Sequence, residues 1–132
     1  MQLDHHILEN TWVFRARPNW GARSEGVVDG DTLDLTIDKG MGDYSDIRVR
    51  VLGIDTPEMR GEERDEGLLA KKIVQRWIAD YCSGHEKWPL LIETYKADSW
   101  GRYLARVQSA ETGEDLTVML LNKGYKPYFK KK

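Results

Sequence analysis

Cysteine is almost missing from this 132-residue sequence, in which Cys82 is the single example. One thiol cannot close an internal disulfide or build a zinc site from cysteines. Long apolar runs are missing too, because no segment approaches the roughly eighteen residues that a membrane-spanning helix needs. Residues 1–6 have neither a basic start nor an apolar stretch, so we see no signal peptide and expect a cytoplasmic protein without a membrane partner.

An excess of charge of one sign is also missing, since 20 basic residues face 22 acidic ones and give a net charge of −2. An anionic partner must therefore be held by local charge or by a metal. The length and ordinary composition predict one domain over residues 1–132, with residues 1–11 as an N-terminal extension. The basic tail, residues 130–132, is either a solvated end or a weak phosphate-attracting patch.

Hydrophobic periodicity predicts the fold class. Alternation of apolar and polar residues predicts strands over about residues 12–17, 33–37, 47–54, 90–95 and 103–108. Apolar repeats predict helices over about residues 65–82 and 116–123, the second capped by Asp115 and ended by Gly124. This order predicts a mainly β fold with α-helices (α+β), namely an OB-like five-stranded Greek-key barrel with an inserted and a C-terminal helix. An open α+β sheet is the alternative.

The tryptophans and the cysteine have ordinary structural interpretations. Trp12, Trp77 and Trp88 are expected in the core or at its edge, because large aromatic rings bury much apolar surface. Cys82, at the end of the long predicted helix, is expected to be half-buried and inert. The chemistry must therefore be sought among the polar motifs.

Two acidic motifs are candidates for metal binding. Residues 29–32, Asp-Gly-Asp-Thr, place two carboxylates around a glycine just before a predicted strand, and alone are more often a turn than a metal site. Residues 55–58, Asp-Thr-Pro-Glu, follow the predicted strand that carries Arg50 and add two more carboxylates, a hydroxyl and main-chain carbonyls. Hard cations such as Ca²⁺ prefer this mixture of oxygens. Taken singly, Asp55 can also cap a turn and Glu58 can be surface charge.

A third motif, Gly101-Arg102, ends a turn and leads into a predicted strand, where it can aim a guanidinium at a bound anion. The planar guanidinium donates hydrogen bonds in parallel pairs and stays positively charged, which suits phosphate oxygens. In this order and register, the three motifs resemble the staphylococcal nuclease (thermonuclease) family over about residues 27–129. The chain looks like the compact phage and bacterial homologues, so a phage product made in the host cytoplasm is also expected.

The resemblance implies a metal site and a reaction. Asp31 and Asp55 would bind Ca²⁺ through their carboxylates and Thr56 through its main-chain carbonyl, with Asp29 just beyond the direct ligands. The implied reaction is Ca²⁺-dependent hydrolysis of the 5′-oxygen–phosphorus bond of DNA or RNA, whatever the sugar, leaving 3′-phosphate ends.

The same resemblance implies roles in catalysis and substrate binding. Arg50 and Arg102 would bind the scissile phosphate, and Glu58 would act as general base or position the water. Aromatic rings would stack on bases of single-stranded DNA or RNA, the expected partner of a monomeric enzyme. These rings are Trp100, Tyr125 and Tyr128, although core packing explains Tyr125 equally well.

The acidic segment, residues 58–66, departs from the family because it holds five acidic and two basic residues where the secreted enzyme is rich in lysine. We therefore expect weaker electrostatic capture of nucleic acid. Two rival functions remain, namely a catalytically weak or inactive nucleic-acid-binding OB module and a phage structural or assembly protein. Retention of both arginines, Glu58 and the aspartates argues against the first rival.

Overall fold

The computed structural model describes residues 12–95 and 103–128. Within these residues the strands are β1 Trp12–Pro18, β2 Val27–Asp29, β3 Thr32–Asp38, β4 Tyr44–Val51, β5 Ile54–Asp55, β6 Leu90–Tyr95, β7 Tyr103–Ser109 and β8 Lys126–Pro127. The α-helices are α1 Arg64–Cys82 and α2 Leu116–Asn122, and short 3₁₀ turns cover Arg23–Gly26 and Gly61–Glu63. The predicted extension (residues 1–11) and tail (residues 130–132) lie outside the described part of the chain.

Five strands close into a barrel. They are hydrogen-bonded in the order β1-β6-β7-β4-β3, and β1 also pairs with β3, which closes the ring. Every pairing in this ring is antiparallel except that of β4 with β7. The predicted OB-like barrel with helices is thereby confirmed, and the open sheet is wrong. Strands β3 and β4 form a hairpin, with Thr32 opposite Arg50 at one end and Asp38 opposite Tyr44 at the other.

Inward-facing side chains fill the barrel. Those buried from the strands include Ala16, Leu33, Leu35, Val49, Val51, Leu90, Ile92, Ala105 and Val107. Trp77 and Trp88 are buried as predicted, whereas the side chain of Trp12 lies outside the described residues. The prediction of a half-buried Cys82 is wrong, because its side chain is packed into the core with 6% of its surface exposed. Burial raises the pKa of this thiol to about 12, which keeps it protonated at neutral pH.

The second helix fixes the C-terminal segment next to the barrel. Asp115 caps α2 as predicted, because its carboxylate accepts a hydrogen bond from the Val118 N–H at 3.1 Å. After α2, the strand β8 pairs with β5 and places Lys126 opposite Asp55. Among the described residues, neither helix has both the length and the apolar character needed to cross a membrane.

Candidate functional site

Two chain segments that are far apart in sequence meet at the start of β3. The Asp31 carboxylate accepts hydrogen bonds from the main-chain N–H of Thr56 at 3.1 Å and from its hydroxyl at 3.2 Å. The Asp31 carbonyl accepts a third bond, from the Val51 N–H at 2.8 Å. The two bonds from Thr56 hold the first acidic motif, residues 29–32, directly against the second, residues 55–58.

Gly30 makes this close approach possible. A Cβ at this position would lie 2.7 Å from the Thr56 hydroxyl oxygen and 2.9 Å from the Ala70 Cβ. Such distances are too short for real carbon contacts, so the crossing of the two segments requires glycine. Its conformation is not the reason, because Gly30 is absent from the residues with positive φ.

Arg50 lies between the two predicted metal-binding carboxylates. Its Nη1 is 3.5 Å from an Asp31 oxygen, and its Nη2 is 3.5 Å from an Asp55 oxygen. Nη1 also donates to the Ile54 carbonyl at 3.1 Å. The ring of Tyr128 covers the guanidinium at 4.9 Å from its centroid, and only 12% of the Arg50 side chain is exposed. The cation is therefore held in place by oxygens and by a ring.

The pKa of the Asp29 carboxyl is unusually high for an aspartate. Burial, a side-chain hydrogen bond with Asp31 and the like charge of Asp31 together raise its pKa to about 6. The Asp29 carboxylate also accepts the Asp31 N–H at 3.0 Å, which shapes the turn around Gly30. A bound cation would favour the ionised form, so this residue suits a place beside a metal.

Glu58 is exposed, and its main chain is fixed from two directions. Its N–H donates to a Glu63 carboxylate oxygen at 3.0 Å. From the other direction α1 presents Gly67, where a Cβ would overlap the Glu58 carbonyl and would lie 2.8 Å from the Pro57 carbonyl oxygen. The helix thus packs directly on the Glu58 backbone and leaves the Glu58 side chain accessible.

A cleft of about 460 Å³ opens beside these residues. Asp55, Thr56 and Glu58 line it from the second motif, and Glu63 and Glu66 line it from the acidic segment. The C-terminal segment contributes Lys123, Gly124, Tyr125 and Lys126. The cleft thus has carboxylates on one side, and two lysines and an aromatic ring on the other.

The structure brings most of the predicted site residues together. Asp29, Asp31, Arg50, Asp55 and Thr56 form one contiguous group. Three further predicted residues adjoin it, since Glu58 and Tyr125 line the cleft and Tyr128 covers Arg50. Arg102 and Trp100 lie outside the described residues.

The donor set fits a hard cation better than a soft one. The oxygens of Asp31 and Asp55 and the main-chain carbonyl of Thr56 are the kind of ligands that Ca²⁺ takes. Within residues 12–95 and 103–128, no group of three or more His, Cys, Asp or Glu side chains is arranged to hold a metal. The predicted set differs from such a group because one of its three donors is a main-chain carbonyl.

Sequence reasoning missed the packing roles of Gly30 and Gly67. Gly67 carried a usable signal, because a glycine inside a helix costs about 1 kcal/mol relative to alanine and so suggests a packing reason. Gly30 was singled out only as part of an acidic turn, and its contact with Thr56 is visible only in three dimensions.

No protein-family model matches the chain, and no curated protein matches it significantly.

Proposed function

We propose that this chain is a Ca²⁺-dependent, sugar-nonspecific nuclease that hydrolyses the 5′-oxygen–phosphorus bond of DNA or RNA and leaves 3′-phosphate ends. The observation that carries the proposal is the position of Arg50, held 3.5 Å from both Asp31 and Asp55 beside the cleft that Glu58 lines. A fixed guanidinium next to an all-oxygen donor set suits a phosphate and a hard cation at once.

Asp31, Asp55 and the carbonyl of Thr56 would hold the cation, which would orient the phosphate and polarise it when bound. Arg50 would donate two parallel hydrogen bonds to phosphate oxygens, because its planar fork matches their spacing. Its anchoring by Ile54 and Tyr128 keeps the fork oriented before substrate arrives. Donors fixed in this way typically contribute about 3 kcal/mol to the transition state.

Glu58 would take the proton from the attacking water. As the new oxygen–phosphorus bond forms, the bond to the 5′-oxygen breaks and this oxygen takes up a proton from solvent, leaving a 3′-phosphate and a 5′-hydroxyl. The exposed carboxylate of Glu58 at the cleft is accessible to such a water. In this proposal Arg102 is the second phosphate-binding arginine, as the resemblance implies.

The substrate that this site would accept is an unpaired strand. Tyr128 has 45% of its surface exposed beside Arg50, and Tyr125 lines the cleft. Exposed rings stack on any base without reading its identity. We therefore propose single-stranded DNA or RNA as substrate, cleaved by the monomer.

The test is cleavage of heat-denatured DNA and of RNA, with Ca²⁺ and with chelator. Two variants remove proposed roles, Glu58→Gln and Arg50→Lys. Each has a matched control, Glu62→Gln in the same acidic segment and Arg76→Lys at an exposed position of α1. We expect wild type to cut only with Ca²⁺, both site variants to be slower by about 100-fold or more, and both controls to remain within about threefold.

Several outcomes would contradict the proposal. Binding of denatured DNA without turnover in Ca²⁺ would favour a nucleic-acid-binding module. Intact DNA together with capture of a protein partner would favour a structural or assembly role. If cleavage occurred but produced 5′-phosphate ends, the chain would be a nuclease of another kind.

A further inference from the structure

A cluster of cations and aromatic rings lies on the outer wall of the barrel, away from the cleft. We call it the Trp88 patch, and it comprises Arg15, Arg17, Tyr44, Lys87 and Trp88. The Arg17 guanidinium is 4.7 Å from the Trp88 ring centroid, and Arg15 and Lys87 are at 6.0 and 5.9 Å. Three cations thus surround one buried ring.

The patch carries a surplus of positive charge. Arg15 is neutralised by Asp38, which it contacts at 2.6 Å. Among the described residues, neither Arg17 nor Lys87 makes an ion pair with a carboxylate. Asp46, two residues beyond Tyr44 on the same face of β4, accepts a hydrogen bond from the Thr36 hydroxyl opposite Arg17 and adds a second carboxylate. Three cations and two carboxylates leave a local charge of +1, in contrast to the acidic segment beside the cleft.

An exposed aromatic ring accompanies this charge. Tyr44 has 47% of its surface exposed, and its ring lies 5.5 Å from that of Trp88. Trp88 itself has only 6% exposed, so it supports Tyr44 and Arg17 from beneath. Charges that bind phosphates, next to a free ring face, are the combination with which proteins hold single strands.

Strand β4 connects the patch to the candidate site. Tyr44, Asp46, Arg48 and Arg50 occupy alternate positions of this strand and therefore share its outer face, where Arg48 is paired with Asp34 at 2.8 Å. The six residue-to-residue steps from Tyr44 to Arg50 span about 20 Å. At roughly 3.4 Å per nucleotide of a stacked strand, this distance corresponds to about six nucleotides.

We propose that the Trp88 patch is a second binding site for single-stranded nucleic acid, which anchors the strand whose phosphate lies at Arg50. The inference rests on the proposed function, because it takes the polynucleotide as the substrate. Arg17 and Lys87 contact phosphates, and Tyr44 stacks on a base. Such an anchor compensates for the acidic segment, which repels the strand near the cleft.

The test measures binding in the Glu58→Gln protein with Ca²⁺, using fluorescein-labelled oligothymidines of twelve and two nucleotides. The patch variant is Arg17→Gln with Lys87→Gln, and the matched control is Lys72→Gln with Arg76→Gln on α1. We expect the patch variant to bind the 12-mer roughly tenfold more weakly, with a salt dependence shallower by about 1.4 in log–log slope for two lost phosphate contacts. Binding of the dinucleotide, which cannot reach the patch, should change less than twofold.

Two further variants test the Tyr44 ring, and one of them keeps the test valid if Arg17→Gln does not fold. Tyr44→Ala should weaken binding of the 12-mer about fivefold or more, whereas Tyr44→Phe should not. If Arg17→Gln unfolds the protein, Lys87→Gln and Tyr44→Ala are compared with the parent instead. Both of these side chains are exposed, so their removal leaves the core intact.

The inference is overturned if the patch and control variants weaken binding of the 12-mer equally, since general charge would then explain the loss. It is also overturned if the dinucleotide loses as much affinity as the 12-mer, or if the patch variants bind like their parent. A Glu58→Gln parent that binds neither oligonucleotide would instead contradict the proposed function itself.

Discussion

At the residue scale, the group with Arg50 at its centre concentrates opposing charges in a small volume. Asp31 accepts hydrogen bonds from Thr56 and lies 3.5 Å from Arg50, while Asp29 lies behind it with a pKa of about 6. Arg50 offsets part of this negative charge, and a cation held by Asp31 and Asp55 would offset more. The protonation of Asp29 is therefore a sensitive reporter of the site.

The raised pKa of Asp29 predicts a pH dependence of stability in chelator. The folded protein holds this proton with a pKa of about 6 against an ordinary 3.8, so ionisation costs folding energy. The stability that the protonated Asp29 carboxyl contributes is fully present below pH 4 and is lost as the pH rises through 6. Asp29→Asn keeps an acceptor for the Asp31 N–H and escapes this loss. Urea unfolding at pH 4, 5, 6 and 7 should show the free energy of unfolding of Asp29→Asn rising relative to that of wild type as the pH increases.

The control for this titration is Glu111→Gln, which removes an exposed carboxyl in a distant turn. Its free energy of unfolding should run parallel to that of wild type over the same pH range. If the Asp29→Asn curve also runs parallel, Asp29 is not the group that titrates near pH 6.

At the scale of elements, helix α1 sets the position of the Glu58 backbone through Gly67. Alanine is the better helix former by about 1 kcal/mol, so propensity alone predicts that Gly67→Ala stabilises the protein. Its Cβ would overlap the Glu58 carbonyl, however, and backbone cannot yield as a flexible side chain does. We expect a lower melting temperature. With Glu58 as the proposed general base, we also expect at least about tenfold slower cleavage, since small displacements of such a group are costly.

Gly84→Ala is the matched control for this substitution, because a Cβ there would meet no atom within 4 Å. It should leave the melting temperature and the cleavage rate close to wild type. A Gly67→Ala protein that melts higher than wild type and cleaves normally would show that α1 does not fix Glu58.

Local patterns predicted the longer elements and failed for the shortest ones. Alternation located β3 and β4, and a capping aspartate located α2, because these signals lie in consecutive residues. The three-residue strand β2 and the two-residue pair β5 and β8 are too short for any periodicity. Yet β8 brings the C-terminal segment next to Asp55.

The candidate site was predicted as a set of residues and not as a geometry. The motifs identified Asp31, Arg50 and Asp55, and the contact of Arg50 with Asp31 follows from the pairing of β3 with β4. The close packing at Gly30 and the surplus charge of the Trp88 patch depend on contacts between distant segments. No local pattern encodes such contacts.

At the scale of the whole molecule, a net charge of −2 conceals an uneven distribution. The acidic segment borders the cleft, while Lys123 and Lys126 line the same cleft from the C-terminal segment. Local charge at the cleft should therefore control how often a polyanion reaches Arg50, even though the total charge is small. Screening limits this influence to about 8 Å at physiological salt.

Charge reversal at a single position tests this distribution. Glu62→Lys lies in the acidic segment and Glu111→Lys in a distant turn, and both change the net charge by the same amount. Glu62→Lys should raise kcat/KM on long single strands by about threefold or more at low salt, through a lower KM, and the gain should vanish in roughly 0.5 M salt. Glu111→Lys should change it less than twofold. Equal gains would mean that total charge governs capture, and the acidic segment would lose its special role.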